Sequence, residues 1–190
     1  MNFLIIILSY FLGSVNFAYI TARIKGIDIS SSGSGNPGTS NVLRTLGKGS
    51  AAIVLIGDLL KGALPVIFFS EDQYFLFYGV AAVLGHIYPV FYKFKGGKGV
   101  ATYIGFLFGL NPYIALSFLF VWLVIAFVSK YSSLGSLIGI LVAPSYYIFI
   151  NFNFYILIFF IYLTLIIYLK HTENIKRLIN KTESKIKLSK

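Results

Sequence analysis

Long apolar stretches, separated by short polar segments, run along the whole chain. Residues 3–22 contain no charge, and residues 51–69 are apolar except for Asp58 and Lys61. Such stretches are close to the roughly 20 residues with which an α-helix crosses the hydrocarbon core of a bilayer. The pattern therefore predicts an all-α integral membrane protein with seven transmembrane helices. These helices are expected at residues 3–22, 51–69, 74–91, 100–110, 112–128, 133–150 and 154–169.

The uncharged stretch of residues 100–128 is too long for one span. As a single helix it would be about 44 Å long, whereas the core of a bilayer is about 30 Å thick. Asn111 precedes Pro112, and a residue before proline disfavours the helical conformation. We therefore divide the stretch there. Residues 100–110 become a short half-helix, which we expect to be packed inside the bundle or to lie where the bilayer is thin.

The composition agrees with a membrane protein and excludes several kinds of chemistry. Hydrophobic residues make up 57% of the chain and charged residues only 12%, too few to cover a soluble globule. We expect one membrane-embedded domain over residues 1–190. The absence of cysteine excludes a thiolate nucleophile, disulfides and cysteine-bound metal. With only two histidines and six carboxylates, we expect neither a metal nor another cofactor.

The basic residues indicate how the chain is oriented. The net charge is +10, and every Lys and Arg except Lys61 falls in alternate loops or in the tail. Because positive loops stay in the cytoplasm, the N-terminus is predicted outside and the C-terminus inside, in the cell inner membrane. The charge is thereby assigned to orientation and to attraction for membrane lipid. We expect no nucleic acid as partner, because no motif for reading it is present.

The first candidate for chemistry is the glycine- and serine-rich loop of residues 30–44, on the predicted cytoplasmic side. Its density of Gly and Ser gives backbone freedom, and a helix that follows would offer unpaired N–H groups to an anion. Arg44 adds a fork of donors suited to phosphate. The alternative is a flexible loop in which Asn36, Thr39 or Ser40 merely caps the helix.

A second candidate is the loop with Gly96, Gly97 and Lys98, which leads to Thr102 and the short half-helix. It lacks the spacing of a Walker A loop. Even so, glycines, a lysine and a helix N-terminus in succession are suited to an oxyanion. The alternative is a basic turn that anchors a span.

Ionisable residues inside the predicted spans form the third candidate. Asp58 and Lys61 are three residues apart, so they share a helix face and can pair. Charges within a membrane are costly and usually mark function. The alternatives are a structural ion pair and, for His86 near the end of the next span, a structural hydrogen-bond donor.

The fourth candidate lies where the last span meets the cytosol. His171 and Asn174 are three residues apart and can face the same direction, and Ser136 lies at the same predicted border. The alternative is a solvated basic helix next to the membrane. Together the four segments predict a cationic, donor-rich site on the cytoplasmic side of an apolar bundle. Such a site suits a ligand with a phosphate head and an apolar tail.

Four ordered motifs make the chain similar to a known family. They read Gly33-Ser-Gly-Asn-x-Gly-x-x-Asn41-Val-x-Arg44, Asp58-x-x-Lys-Gly62, Gly85-His-x-x-Pro-Val-Phe-x-x-Phe-x-Gly-Gly-Lys-Gly-Val-Ala-Thr102 and His171-x-x-Asn-Ile-x-Arg-Leu178. The set resembles the bacterial acyl-phosphate:glycerol-3-phosphate acyltransferases, the PlsY family. That resemblance implies transfer of an acyl chain from acyl phosphate to the 1-hydroxyl of glycerol 3-phosphate. Lysophosphatidic acid and phosphate would be the products, at the first step of phospholipid synthesis.

The resemblance also implies roles for individual residues. Those matched to catalysis are His171, Asn174, Ser34 and Arg44. Those matched to substrate binding are Gly33, Gly35, Asn36, Asn41, Lys61, His86, Gly96, Gly97, Lys98 and Thr102. Ser136 lies outside the motifs, and we add it to the substrate-binding residues because its hydroxyl could donate a hydrogen bond at the predicted border. The proton acceptor stays open between His171 and a substrate phosphate oxygen.

The chain departs from the family pattern at several positions. Ser30 stands where the family often has arginine, Lys181 where glycine often precedes Thr-Glu, and Asn16 where proline is usual. Thr39 and Ser40 likewise stand where Ala-Thr is common.

A transporter or channel for organic phosphates is the alternative function. Broken helices and charges within spans occur in transporters too. Against it, the polar motifs cluster on one face rather than at the midplane, and no inverted repeat is visible between the halves.

Overall fold

The structure, a computed structural model, describes residues 2–150 and 153–186, which contain helices and connecting loops but no β-strand. The all-α prediction is confirmed. A 3₁₀ turn covers Val90–Tyr92. The α-helices are α1 Phe3–Ser14, α2 Phe17–Ile24, α3 Thr39–Leu46, α4 Lys48–Phe68, α5 Phe75–Ile87, α6 Val100–Leu110, α7 Pro112–Ser129, α8 Ser132–Ile150, α9 Phe154–Lys170 and α10 Thr172–Ile179.

Apolar helices of membrane-spanning length support the predicted class. Within the described ranges, four candidates are long and apolar enough: Phe3–Ile24, Lys48–Phe68, Phe75–Tyr92 and Pro112–Ser129. The pair α9 and α10, bent by 60°, makes a fifth if it is counted as one span. Val100–Leu110 and Ser132–Val142 are shorter apolar helices. The count of seven spans and their orientation stay predictions.

The chain forms two compact units, Met1–Leu110 and Asn111–Lys190. The first contains α1 to α6, and the second contains α7 to α10. One domain over residues 1–190 therefore stays a prediction.

The first unit contains a break that separates α1 from α2. Val15 and Asn16 are extended, and the Asn16 side chain caps α2, its Oδ1 accepting from the backbone N–H groups of Ala18 and Tyr19, each at 3.1 Å. In an unbroken helix the Tyr19 N–H would bond the carbonyl of Val15, four residues earlier. That carbonyl instead accepts from Lys61 Nζ at 2.8 Å.

The predicted half-helix is confirmed as α6, and its packing explains why a short segment is stable there. Its central residues are buried in the first unit, with Tyr103 and Leu107 wholly inaccessible. Two glycines let its backbone touch α4: a Cβ on Gly62 would overlap the Thr102 carbonyl, and one on Gly105 would overlap the Leu59 carbonyl. Close approach of two backbones is how apolar helices associate where water supplies no driving force.

The predicted boundary at Asn111–Pro112 is confirmed in the second unit. Asn111 is the N-cap of α7, and its Oδ1 accepts from Tyr113 N at 2.8 Å, while Pro112 occupies the first turn. Pro is favoured there because the first N–H groups of a helix have no partner within it. The next pair, α7 and α8, packs through Gly135 against Trp122 and Gly139 against Phe118.

Substitution of Gly62 by alanine is expected to lower the melting temperature measured in detergent. The added methyl group would push α4 from α6 and cost about 1–3 kcal/mol, the usual range for overpacking. Gly49→Ala is the matched control in α4, because no atom lies within 4 Å of a Cβ there. Its melting temperature should be unchanged or slightly higher, because alanine favours a helix over glycine. Equal melting temperatures for the two variants would contradict the packing argument.

Candidate functional site

The glycine-rich loop of the first unit is shaped by one buried amide. Gly33 and Gly35 have φ of +61° and +70°, in the left-handed region that favours glycine. Asn41 Oδ1 accepts from Ser34 N at 2.9 Å, and Asn41 Nδ2 donates to the Ser32 carbonyl at 2.9 Å. A Cβ on Gly33 would overlap Asn41 Oδ1. The amide of Asn41 thus holds the loop, and its hydrogen bonds are made to the protein.

A carboxylate turns the chain at the start of this loop. Asp28 Oδ1 accepts from Ser30 N at 2.9 Å and from Ser30 Oγ at 2.7 Å. Those bonds lower the pKa of the exposed Asp28 carboxyl below its ordinary value. An arginine at position 30 could repeat the backbone bond but not the hydroxyl bond. Ser30 therefore has a local structural role at this departure from the family pattern.

The expected helix after the loop is α3, but the predicted caps are wrong. The N-cap of α3 is Gly38, so the N-cap position is not occupied by Asn36, Thr39 or Ser40. Glycine is tolerated at an N-cap, where its backbone is extended as it is at Gly38. Ser34 is exposed at one end of this segment, and Arg44 is exposed in the last turn of α3, with no ion pair to the described residues.

The second loop rests on the end of α5 and approaches the first loop. Gly97 N donates to the His86 carbonyl at 3.2 Å. A Cβ on Gly97 would overlap His86 Nε2 and would lie 3.0 Å from the Pro37 carbonyl oxygen. A Cβ on Gly96 would overlap the His86 carbonyl oxygen. Positions 96 and 97 therefore have no room for a side chain against the end of α5. Gly97 also lies against Pro37, so the two predicted phosphate loops are in contact.

Two predicted site residues that follow Gly97 in the chain, Lys98 and Thr102, differ in exposure. Lys98 is half-buried. Thr102 is wholly buried in α6 against α4, and its hydroxyl has no hydrogen-bond partner in the described part of the chain. Thr102 is thus placed in the core of the first unit rather than at the loop surface.

The predicted pairing of Asp58 with Lys61 is confirmed, and His86 joins it. Lys61 Nζ lies 2.8 Å from Asp58 Oδ1, and His86 Nδ1 lies 3.4 Å from the same oxygen. All three side chains are buried, at 1–3% exposure. The Lys61 ammonium also lies 5.9 Å from the centre of the Phe17 ring. We name Asp58, Lys61 and His86 the buried ion cluster.

In the second unit, His171 lies at the junction of α9 and α10 and is buried. Its Nδ1 lies 2.8 Å from the Ile167 carbonyl oxygen. A carbonyl oxygen only accepts, so this contact is a hydrogen bond when Nδ1 carries the proton. Neutral His171 then presents Nε2 as the acceptor nitrogen of the ring.

Asn174 is held by Glu183, a carboxylate that is not among the predicted site residues. Glu183 Oε1 accepts from Asn174 Nδ2 at 2.7 Å and from Ser133 Oγ at 2.8 Å, and Oε2 accepts from Arg177 Nε at 2.7 Å. Burial of the carboxyl raises its pKa, but hydrogen bonds from Arg177, Asn174 and Ser133 outweigh burial, and the pKa lies below its ordinary value. Lys181, where the family often has glycine, has φ +57° in the turn that returns Glu183 to α10.

The predicted site residues fall into two groups, one in each unit. Ser136 is buried in α8 of the second unit, and its hydroxyl bonds the Ser132 carbonyl at 3.1 Å. No cluster of three metal-ligating side chains occurs among the described residues. The first unit holds Gly33, Ser34, Gly35, Asn36, Asn41, Arg44, Lys61, His86, Gly96, Gly97, Lys98 and Thr102. The second unit holds Ser136, His171 and Asn174.

Glu183→Gln is expected to loosen α10. Loss of the charged acceptor should speed amide hydrogen exchange over residues 172–183 about tenfold, the effect of weakening one charged hydrogen bond. The matched control is Glu173→Gln, which breaks only the exposed pair with Lys176 and should change exchange little.

The wild type should show the same loosening in acid. Because the folded pKa of Glu183 is lowered, its stabilisation is present above the unfolded pKa and is lost as the pH falls through the folded value. Glu183→Gln should remove that part of the pH dependence. Identical exchange in both variants at neutral pH would refute the role given to Glu183.

Comparison with known proteins identifies the family. A family model described as glycerol-3-phosphate acyltransferase matches residues 3–181. The glycerol-3-phosphate acyltransferase of Pelagibacter ubique strain HTCC1062 is 46% identical over 99% of this chain and 100% of its own length. That of Francisella tularensis subsp. holarctica strain FTNF002-00 / FTA is 45% identical over 98% of this chain and 93% of its own length.

Two solved structures are also similar. They are crystal structures of PlsY (YgiH), an integral membrane glycerol 3-phosphate acyltransferase, in a glycerol 3-phosphate form and a lysophosphatidic acid form, with TM-scores of 0.94 and 0.91. Each is 38% identical, covering 97% of this chain and 94% of the other. The chain therefore belongs to the glycerol-3-phosphate acyltransferase family of integral membrane enzymes represented by PlsY.

Proposed function

We propose that the chain transfers an acyl group from acyl phosphate to the 1-hydroxyl of glycerol 3-phosphate. The bond between the acyl carbon and the phosphate oxygen breaks, an ester bond forms, and the hydroxyl proton passes to a base. Lysophosphatidic acid and inorganic phosphate leave. The reaction would open phospholipid synthesis at the cytoplasmic face of the inner membrane, on a protein with seven spans and an external N-terminus.

The contact between the two glycine loops carries this proposal. Gly97 lies against the Pro37 carbonyl, so two segments suited to oxyanions are adjacent within one unit. Each of the two proposed substrates carries a phosphate, and a site that joins them needs two such places. The PlsY structures, in glycerol 3-phosphate and lysophosphatidic acid forms, support the acceptor and the product by analogy.

We assign the two loops to different phosphates. Ser34 and Arg44 would hold the phosphate of the donor, because a guanidinium binds phosphate in a bidentate manner. Gly96, Gly97 and Lys98 would hold glycerol 3-phosphate, with lysine acting as a point charge. Asn41 shapes the first loop from behind, and we propose the same indirect role for Thr102 below the second.

The chemical step requires little from the protein, because acyl phosphate is a mixed anhydride with a good leaving group. No covalent enzyme intermediate and no cofactor are needed. The protein must orient a hydroxyl against a carbonyl and stabilise the developing oxyanion. We assign proton removal to His171 Nε2, because the bond from Nδ1 to Ile167 fixes the tautomer in which Nε2 accepts. Asn174, oriented by Glu183, would donate to the oxyanion.

Phosphate release in detergent tests the donor and also separates an enzyme from a transporter, which would do nothing without a sealed membrane. Purified protein should release inorganic phosphate from acyl phosphate only when glycerol 3-phosphate is present. It should not use acyl-CoA. Arg44→Gln should reduce turnover severely, whereas Lys48→Gln, also exposed and basic, should not. Efficient turnover with acyl-CoA would overturn the proposed donor.

The role of His171 is tested by two substitutions. If His171 is the general base, His171→Ala should lower kcat about 10²–10⁴-fold. His171→Asn retains a donor toward the Ile167 carbonyl but cannot take a proton near neutral pH, so its loss should be equally large. Thr172→Ala, at the next residue, serves as control and should retain activity. Substantial rescue by asparagine would instead assign the proton to a substrate phosphate oxygen.

A further inference from the structure

The buried ion cluster joins three parts of the first unit. Asp58 and Lys61 belong to α4, His86 belongs to α5, and the Lys61 ammonium also bonds the Val15 carbonyl at the break between α1 and α2. Asp58 Oδ1 lies 2.8 Å from Lys61 Nζ and 3.4 Å from His86 Nδ1. The cluster thus links the break, α4 and the end of α5 through a short chain of polar contacts.

Burial makes this linkage stiff. The three residues are only 1–3% exposed, so water cannot replace a lost partner. Removing one member of a buried ion pair leaves an uncompensated charge and is strongly destabilising. The Lys61 ammonium is already engaged by Asp58 and Val15, which makes it poorly placed to bind a substrate directly.

His86 connects the cluster to the second glycine loop. One side of its ring, at Nδ1, faces Asp58, and the other side, at Nε2, lies against Gly97. Its backbone carbonyl accepts the Gly97 N–H and lies against the Gly96 backbone. A rotation of the His86 ring or a shift of the end of α5 would therefore move the loop.

We propose that the buried ion cluster positions the Gly96–Gly97–Lys98 loop, so that it sets the affinity for glycerol 3-phosphate without touching that substrate. His86 is the positioning residue, and Asp58 and Lys61 hold it. The inference rests on the proposed function, in which this loop binds glycerol 3-phosphate. It replaces the direct substrate-binding role predicted for Lys61 and His86.

Steady-state kinetics of purified His86 variants test the inference. His86→Leu fills the space but cannot contact Asp58, and it should raise the KM for glycerol 3-phosphate about tenfold to 100-fold, the effect of a small misplacement. The KM for acyl phosphate should change little. His86→Asn places an amide near the position of Nδ1 and should recover most of the affinity.

Further variants separate positioning from general destabilisation. Tyr78→Phe, at the other end of α5, removes the bond to Asp72 and should leave both KM values unchanged. Asp58→Asn combined with Lys61→Met removes both charges together, avoids an unpaired one and should reproduce the selective rise in KM. Lys98→Ala shows how much the KM for glycerol 3-phosphate rises when a residue proposed to bind that substrate directly is removed. The melting temperature of each variant shows whether it is folded at the assay temperature.

The outcomes distinguish this inference from the proposed function. If wild-type protein does not transfer the acyl group from acyl phosphate, the proposed function fails. If wild type is active and His86→Leu lowers only the apparent kcat, as a smaller fraction of active molecules would, with both KM values unchanged, the inference is overturned. Equal rises in both KM values would also overturn it. A selective rise for glycerol 3-phosphate, recovered by asparagine, supports it.

Discussion

The ion pair between Lys61 and Asp58 is the interaction on which the first unit most depends. Two opposite charges in an apolar surrounding stabilise a structure only when each retains its partner. The pair therefore fixes the face that α4 turns toward α5, and it requires an acceptor at the break between α1 and α2. Because α6 packs backbone to backbone on α4, the short helix after the second loop is fixed relative to the same pair.

Glycine serves two different purposes in this chain. In the first loop, Gly33 and Gly35 adopt positive φ, so that the backbone can wrap around the Asn41 amide. In α4, α6 and the second loop, the value of glycine is its lack of a side chain: Gly62, Gly105 and Gly97 allow backbone or ring atoms to approach closely. Loop shape and helix packing thus converge on the region where phosphate is proposed to bind.

The sequence allowed much of this to be predicted where the signal was local. Pro112 marked the break between two helices, and the spacing of Asp58 and Lys61 showed that they share a face. His86 could not be paired with them in advance, because the rotation of one helix against another is set by packing and not by either sequence alone.

The errors and omissions have similar physical causes. Polar residues near the start of α3 suggested a side-chain cap, but Gly38 takes that position with extended backbone. Glu183 is not predictable from the sequence, because a single carboxylate in a basic tail resembles a solvated charge. Its importance depends on a turn at Lys181 that brings it back to Asn174, and such a turn in a non-glycine residue leaves no clear signal in one sequence.

The break at Asn16 couples two distant positions of the chain. Because Asn16 Oδ1 accepts the hydrogen bond from the Tyr19 N–H, the Val15 carbonyl is available to accept from the ammonium of Lys61. Proline, usual at this position in the family, would also interrupt the helix, which makes the two residues exchangeable despite their different chemistry. A residue at position 16 that restored a continuous helix would let the Tyr19 N–H bond the Val15 carbonyl. That carbonyl would then no longer be available to the ammonium of Lys61, which lies 46 residues after Val15 in the chain. Position 16 therefore affects the hydrogen bonding of Lys61 through the backbone, without requiring any contact between the two side chains.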